Sequence, residues 1–359
     1  MLLLAIAISA HGKVKFRWTR LHSYLIMFAF FCIASSIWAS QRSNAITMGI
    51  TILEIFVCIA ILLSHYYWFD SVDSILKSIM WGAIIVEIFT CFSFGVSNVL
   101  RYAINGIRLP STFLNSNTVG LLAAISAIII FYYFINDGFR VWNLFIVMSI
   151  VIIAVSMSRK AFVFLVVGII MMLLLSNKDI AKRKGGFVKL LLVLLLVAAV
   201  VYYVASMSMF SALFMRMEGF LSFLRGGEGD NSTMVRSQIV KTGMVYFKAH
   251  PLLGIGMDNA RFTNPGRIYL HNNYAELLTD GGIVGFIIYY SIYIYSGVML
   301  FKNRKNKDRE FSIVLVILVL TLMMDYGMVS YYSKETYFYV LLFYLYSEKL
   351  KHRSISINA

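Results

Sequence analysis

The sequence predicts an all-α, polytopic helical membrane protein. Three observations carry that reading. Mean hydropathy is +0.78 and only 14% of the 359 residues are charged, whereas soluble domains carry about 25%. Apolar runs of roughly 16–20 residues recur along the whole chain, long enough to cross a bilayer as helices. The basic residues gather in short clusters between those runs, the mark of loops on the cytoplasmic face. The net charge of +15 is thereby explained by loops, and nucleic acid is not expected as a partner. Cys32, Cys58 and Cys91 lie within or at the ends of apolar runs without paired spacing, so neither a disulfide framework nor a zinc site is expected.

Taken in order, the chain opens on a short apolar stretch, Met1 to Ala10. Basic residues follow it instead of preceding it, so it reads as a short or truncated first membrane segment and not as a signal peptide. Membrane helices are expected over 21–39, 46–63, 73–92, 117–135, 141–156, 161–175, 188–205, 283–301, 311–330 and 336–347, with the N-terminal stretch as an eleventh. The whole of 1–359 is expected to be one integral membrane domain. Four basic clusters set its orientation: Lys13 to Arg20, Lys178 to Lys189, Lys302 to Arg309 and Lys349 to Arg353. Counting helices between them puts all four on one side, the cytoplasm by the positive-inside rule. The opposite side then receives the loop 93–116, the tight turn at Ser156–Lys160 and one long segment, 206–282. Connections of that length are usually functional or disordered; helix-like periodicity and glycine turns mark this one as folded.

The long segment has three parts. "RGGEGDNSTM" (225–234) is a glycine-rich turn feeding a helix, with Asn231 or Ser232 as its cap. An amphipathic helix is expected over 233–249 from Val235, Ile239, Tyr246 and Phe247, ending before Pro251. The third part contains "IYLHNNYAELLTDGGIVG" (268–285). Gly254 and Gly256 upstream form only a loose GxG, which is no dinucleotide fingerprint. Asn273 and Glu276 have capping-box spacing, so a short helix is expected from Tyr274 to Asp280, stopped by Gly281–Gly282. His271 then stands just before a helix N-terminus. The positive end of the helix dipole disfavours an imidazolium, which leaves a neutral imidazole able to accept a proton.

Arginines suggest the substrate. Arg159 sits in "SMSRKAF", and Arg236, Arg261 and Arg267 lie in the long segment. Several guanidiniums on one outer face suit a diphosphate, which they grip with forked donors, and a membrane-embedded lipid diphosphate fits the location better than a soluble one. Plainer roles stand beside these. His250 before Pro251 reads as a helix-end residue, Arg159 could be a headgroup anchor, Arg236 a solvated helix charge, and Asp258 and Glu276 turn and capping residues. Asn231–Ser232–Thr233 is formally a glycosylation sequon, of no weight in a bacterial chain. Glu54, Glu87 and Asp325 lie in or near membrane helices, where acids are functional candidates by default. They keep a transporter or lipid-linked oligosaccharide flippase open as a second class. Inverted repeats and broken mid-membrane helices are not evident, and transport does not call for a loop rich in histidine and arginine.

"HNNYAELLTDGGIVG" fits the pattern H-[N/S/Q]-x9-G-x-x-G through His271, Asn272, Gly282 and Gly285. With "GDNSTMVRSQIVKTGMVYFKAHPLLGIGMDNAR" and "SMSRKA" upstream, the stretch 156–290 resembles the bacterial O-antigen polymerase and O-antigen ligase superfamily, and its wording resembles the polymerases more than the ligases. The resemblance implies a GT-C-like membrane glycosyltransferase working without metal or cofactor, multi-pass in the bacterial inner membrane, with 206–282 as an extracytoplasmic catalytic loop. It implies inverting transfer from an undecaprenyl-diphosphate-linked oligosaccharide, in making O-antigen or capsule. Arg159, Arg236 and His271 align with the catalytic residues of that pattern, and Arg261, Arg267, Asn272, Tyr274 and Glu276 are the expected substrate contacts. Tyr269 and Tyr274 are candidates for stacking on sugar rings. Membrane lipid and a chain-length regulator protein are the expected partners. An O-antigen ligase acting on lipid A-core is the alternative within the family.

Overall fold

A computed structural model describes residues 18–66, 72–111, 115–176, 217–219, 222, 225, 231–304 and 308–358. The expected N-terminal segment, the helix 188–205, the basic cluster Lys178 to Lys189 and the glycine-rich 226–230 lie outside the described residues, as do Lys13, Lys15, Arg17, Lys305 and Lys307. What is described is helical, with no strand among the described residues. The helices are α1 (Arg20–Ala34), α2 (Arg42–Tyr66), α3 (Val72–Phe94), α4 (Val96–Ile104), α5 (Ser116–Asp137), α6 (Phe145–Ser156), α7 (Arg159–Ser176), α8 (Asn231–Ala249), α9 (Asn273–Lys302), α10 (Phe311–Asp325) and α11 (Lys334–Asn358). Short 3₁₀ turns at Ser35–Ile37, Val141–Leu144 and Ala260–Thr263 join or extend them. Five stretches among the described residues are long and apolar enough to cross a membrane: Arg20–Ile37, Arg42–Ser64, Val72–Phe94, Ser116–Asp137 and Asn273–Lys302. Val141–Ser156 and Phe311–Asp325 are shorter apolar helices. The protein is thus a multi-pass helical membrane protein.

The chain divides into two compact units. One comprises Met1–Ile75, Met234–Lys307 and Thr321–Ala359; the other comprises Leu76–Thr233 and Asp308–Leu320. In the first, α1 packs on α2, and α9 packs on α1 and α11. Gly49 lets α2 approach Ile33 closely, and Gly281 and Gly285 lie under the ring of Phe31. In the second, α5 is the central helix, packed on α6 and α7. Gly120 seats against Ser156 and Ala161, and Gly168 against Ile128. Small residues at such crossings let backbones approach where no hydrophobic force drives helices together. Glu87 is fully buried in this unit, accepting from the hydroxyls of Ser126 at 2.5 Å and Ser149 at 3.0 Å. Glu54, by contrast, is exposed.

Two elements differ from expectation. The loop 93–116 contains α4, which Gly95 (φ +80°) sets off from α3. Only Val99 and Ala103 of α4 are buried, an apolar stripe too thin to be read as a helix. The expected helix 311–330 ends at Asp325, where the buried carboxylate accepts hydroxyls from Tyr290 and Ser330 and draws the following residues into turns. The short helix expected before Gly281–Gly282 does end there: helical backbone breaks at Gly282 (φ 59°, ψ −163°), and the membrane-crossing part of α9 follows directly.

Candidate functional site

The break at Gly282 organises the region around His271. A helix interrupted there leaves carbonyls before it and amides after it without helical partners, and inside a membrane such groups must be paired. The segment 251–256 pairs them. Ile255 and Gly256 donate to the carbonyls of Thr279 and Asp280 at 3.0 and 2.9 Å, while Ile283 and Val284 donate to the carbonyls of Pro251 and Leu252 at 2.9 and 3.1 Å. Backbone must meet backbone for this to happen. A Cβ on Gly254 would strike the Asp280 carbonyl, and one on Gly282 would strike Leu252. Both glycines also have positive φ, +66° and +59°, a region that favours glycine. The loose GxG and the Gly281–Gly282 pair are therefore two halves of one joint.

Asp280 holds the next turn. Its fully buried carboxylate accepts the amides of Asp258, Asn259 and Ala260 at 3.1, 2.9 and 2.5 Å, and the hydroxyl of Tyr331 at 3.2 Å. The same turn is tied to the α1–α2 connection. Met257 donates to Ser35 Oγ at 2.9 Å, and Asn259 Oδ1 accepts from Gln41 N at 2.8 Å and Ser40 Oγ at 3.0 Å. Arg261 is ion-paired with Asp258, whose own φ is +57°. Burial pushes the Asp258 carboxyl above the usual carboxylate range, and Arg261 beside it offsets only part of that. Arg267 is exposed, with positive φ (+49°), and lies over the ring of Phe262 at 5.8 Å.

His271 sits between two clamps. It has φ +57°, the left-handed region that costs an L-residue roughly 1–2 kcal/mol. On its N-terminal side, the amide of Leu270 donates to Glu276 Oε2 at 2.5 Å. On its C-terminal side, Asn272 is the N-cap of α9, accepting from Ala275 N at 3.0 Å. The cap is thus Asn272, not Asn273, and Glu276 closes on Leu270 instead of completing a capping box. Strained backbone of this kind persists where its surroundings over-determine it, and such residues cluster at functional sites. The ring of Tyr269 lies 4.2 Å from the His271 ring, centre to centre.

Asn273 is fully buried and anchors the turn after α10. Its Oδ1 accepts the amides of Ser330 and Tyr331 at 2.9 and 3.1 Å, and its Nδ2 donates to Tyr290 Oη at 3.0 Å. Tyr290 in turn donates to Asp325 at 2.8 Å. Tyr274 stacks on Tyr290 (5.2 Å, 18°) and donates its hydroxyl to the Leu322 carbonyl at 2.8 Å. Glu276 is fully buried; its Oε1 is buried with no hydrogen-bond partner.

Arg236 reaches this region through α8. Ile239 joins Ala260, Leu270 and Ala275 in one apolar cluster, and Gly243 lies against Leu270 and Thr279. Arg236, one helical turn before Ile239, shares that inward face. The first unit therefore gathers Arg236, Arg261, Arg267, His271, Asn272, Tyr274 and Glu276 on mutually packed segments. His250 is exposed at the end of α8. Arg159 belongs to the second unit. It opens α7 after Met157 (φ +48°), with Ser158 Oγ accepting from Ala161 N at 3.4 Å, and its Nη2 donates to Thr233 Oγ1 at 3.3 Å. Asn259 escaped sequence reasoning, and Asn273 and Asp280, read there as a cap and a helix end, have buried pairing roles it did not foresee. The available signal was an acid one residue ahead of a glycine pair in an otherwise apolar helix.

No curated protein matches the chain. Residues 144–290, the stretch holding Arg159, Arg236, the Gly254–Gly282 joint and the strained His271, match the family described as O-Antigen ligase. Over that stretch, 147 of the 359 residues, the chain is similar to the O-antigen ligase family, which supports the resemblance to the O-antigen ligase and polymerase superfamily.

Proposed function

We propose that the protein is a glycosyltransferase that joins lipid-diphosphate-linked oligosaccharide units into a surface polysaccharide, on the outer face of the inner membrane. The observation that carries the reading is His271: a histidine in left-handed backbone, held from both sides, on a segment packed against the helix that presents Arg236. In the reaction, the acceptor sugar's hydroxyl oxygen attacks the anomeric carbon of the donor. The bond from that carbon to the diphosphate oxygen breaks, and its electron pair leaves on the diphosphate. Arg236, in the same unit as His271, stabilises that developing charge. His271 either takes the acceptor's proton or meets the leaving group, in which case that proton passes to water or to the departing diphosphate. Arg267, exposed, is available to a further phosphate or sugar.

A ligase reading rests on the description of the matched family; the acceptor separates the two. Purified protein is given undecaprenyl-diphosphate-linked repeat units as sole substrate and the products are resolved by length. His271→Gly is the informative variant, since glycine keeps the positive φ without strain. The expected result is a ladder of longer lipid-linked glycans from the wild type and a loss of at least about 100-fold in the variant. A ladder of equal strength from the variant would remove His271 from the chemistry. No ladder from folded wild type, with transfer restored by a lipid A-core acceptor, would replace polymerase by ligase; no transfer to either would return the transport reading.

A further inference from the structure

The helix α8 is apolar on two opposite faces. One packs inward through Ile239, Val240, Gly243 and Met244. The other carries Met234, Val235, Val245 and Tyr246, all exposed, Val245 by 65%. Among the described residues, only the first of these faces is covered by the protein; the second, which also carries the exposed Gln238, is not. The apolar surface does not end with α8. Leu252, 65% exposed, and Leu253 follow directly. Their turn is hydrogen-bonded to Ile283 and Val284, which with Ile287 are exposed at the head of the membrane-crossing part of α9. The outward face of α8 is therefore continuous with a surface that lipid covers. Its charges point the same way: Arg236, Lys241 and Lys248 are its charged residues, with no carboxylate from Asn231 to Ala249, and both lysines are exposed.

We propose that α8 and the Leu252–Leu253 turn form an interfacial anchor, lying in the headgroup region of an anionic phospholipid bilayer. The apolar outer face enters the headgroup–acyl boundary, as amphipathic helices do. Lys241 and Lys248 extend along it to meet lipid phosphates. The anchor fixes the depth of Arg236, which faces the opposite way on the same helix. The inference does not depend on the chemistry proposed above.

The wild-type protein tests it directly, in vesicles of phosphatidylethanolamine and phosphatidylglycerol doped with a phospholipid bearing a diazirine near its headgroup. After irradiation, trypsin releases peptides 242–248 (with Val245 and Tyr246), 249–261 (with Leu252 and Leu253) and 262–267 (with the exposed Pro265, Gly266 and Arg267), while 268–302 reports the membrane helix. The expected result is labelling of 242–248 and 249–261 several-fold above 262–267 and comparable to 268–302. Labelling of the first two no higher than 262–267 would overturn the anchor. Raising phosphatidylglycerol at constant total lipid should raise their labelling relative to 268–302; no change would remove the lysines' part in it.

Discussion

Asp280 illustrates how one side chain can settle a local fold. Three consecutive amides and a phenol converge on its carboxylate with no solvent access. A buried donor left without its acceptor costs about 1–3 kcal/mol, so Asp280→Ala should lower stability by several kcal/mol. Asp280→Asn keeps one acceptor oxygen and should fall between. Thermal unfolding in detergent checks the order wild type, Asn, Ala; equal midpoints would show that the turn at 257–260 holds itself. Asp258, on that turn, yields a prediction of pH dependence. Its folded pKa is raised by burial, more than Arg261 restores. Such a group supports folding fully below its unfolded pKa of about 3.9, and that support is lost as pH rises through the folded value. Asp258→Asn carries no charge at any pH, and asparagine tolerates positive φ. Relative to wild type, its melting temperature should therefore improve as pH is raised from about 4 to about 7; a difference that does not vary with pH would contradict the raised carboxyl.

At the scale of elements, the joint between 251–256 and the α9 break decides whether the site-bearing segment stays in place. Gly254→Ala and Gly282→Ala each add a Cβ that meets backbone in a region where alanine is itself strained. Each should cost at least about 2 kcal/mol, visible as a lower melting temperature and faster proteolysis of the 251–270 segment. Gly297 has nothing within 4 Å of its would-be Cβ, so Gly297→Ala in α9 should be neutral or mildly stabilising. Much at this scale was legible in the sequence. The α8 span, the stop before Pro251 and a helix start near His271 follow from periodicity, proline and asparagine, all local signals. What was not legible is the partner of each local signal. Asn272 and Asn273 are neighbours of identical type, and only the pairing of Asn273 with Ser330 and Tyr331 leaves Asn272 as the cap. Likewise Glu276 has capping-box spacing but turns to Leu270, because that amide lies buried with no other acceptor among those described. Long-range pairing of this kind leaves no periodic trace.

For the whole molecule, the family-matched stretch is shared between the two compact units. Residues 144–233 and 234–290 fall in different compact units, and the second part depends on residues distant in sequence: Ser35, Ser40 and Gln41 on one side, Ser330 and Tyr331 on the other. A fragment comprising 144–290 alone should fail to give a monodisperse, cooperatively melting species in detergent, whereas the full chain should give one. A cooperative melt of the fragment would show that these distant partners are dispensable. The apolar runs announce the membrane helices plainly, since hydropathy is additive along the chain. The division into interleaved units is not announced, because it depends on which helices meet.

The reciprocal backbone bonds at Gly282 also bear on how such a protein can change over time. The 22 residues between Gly256 and Thr279 leave and return at adjoining points, held there by four main-chain bonds. Main-chain bonds are indifferent to side-chain identity, provided glycine is kept where the strands touch. Between those ends Asn259 and Asn273 still bind distant partners through their side chains, so sequence can drift most freely at the exposed Pro265 and Gly266 while the helices in the lipid remain as they were.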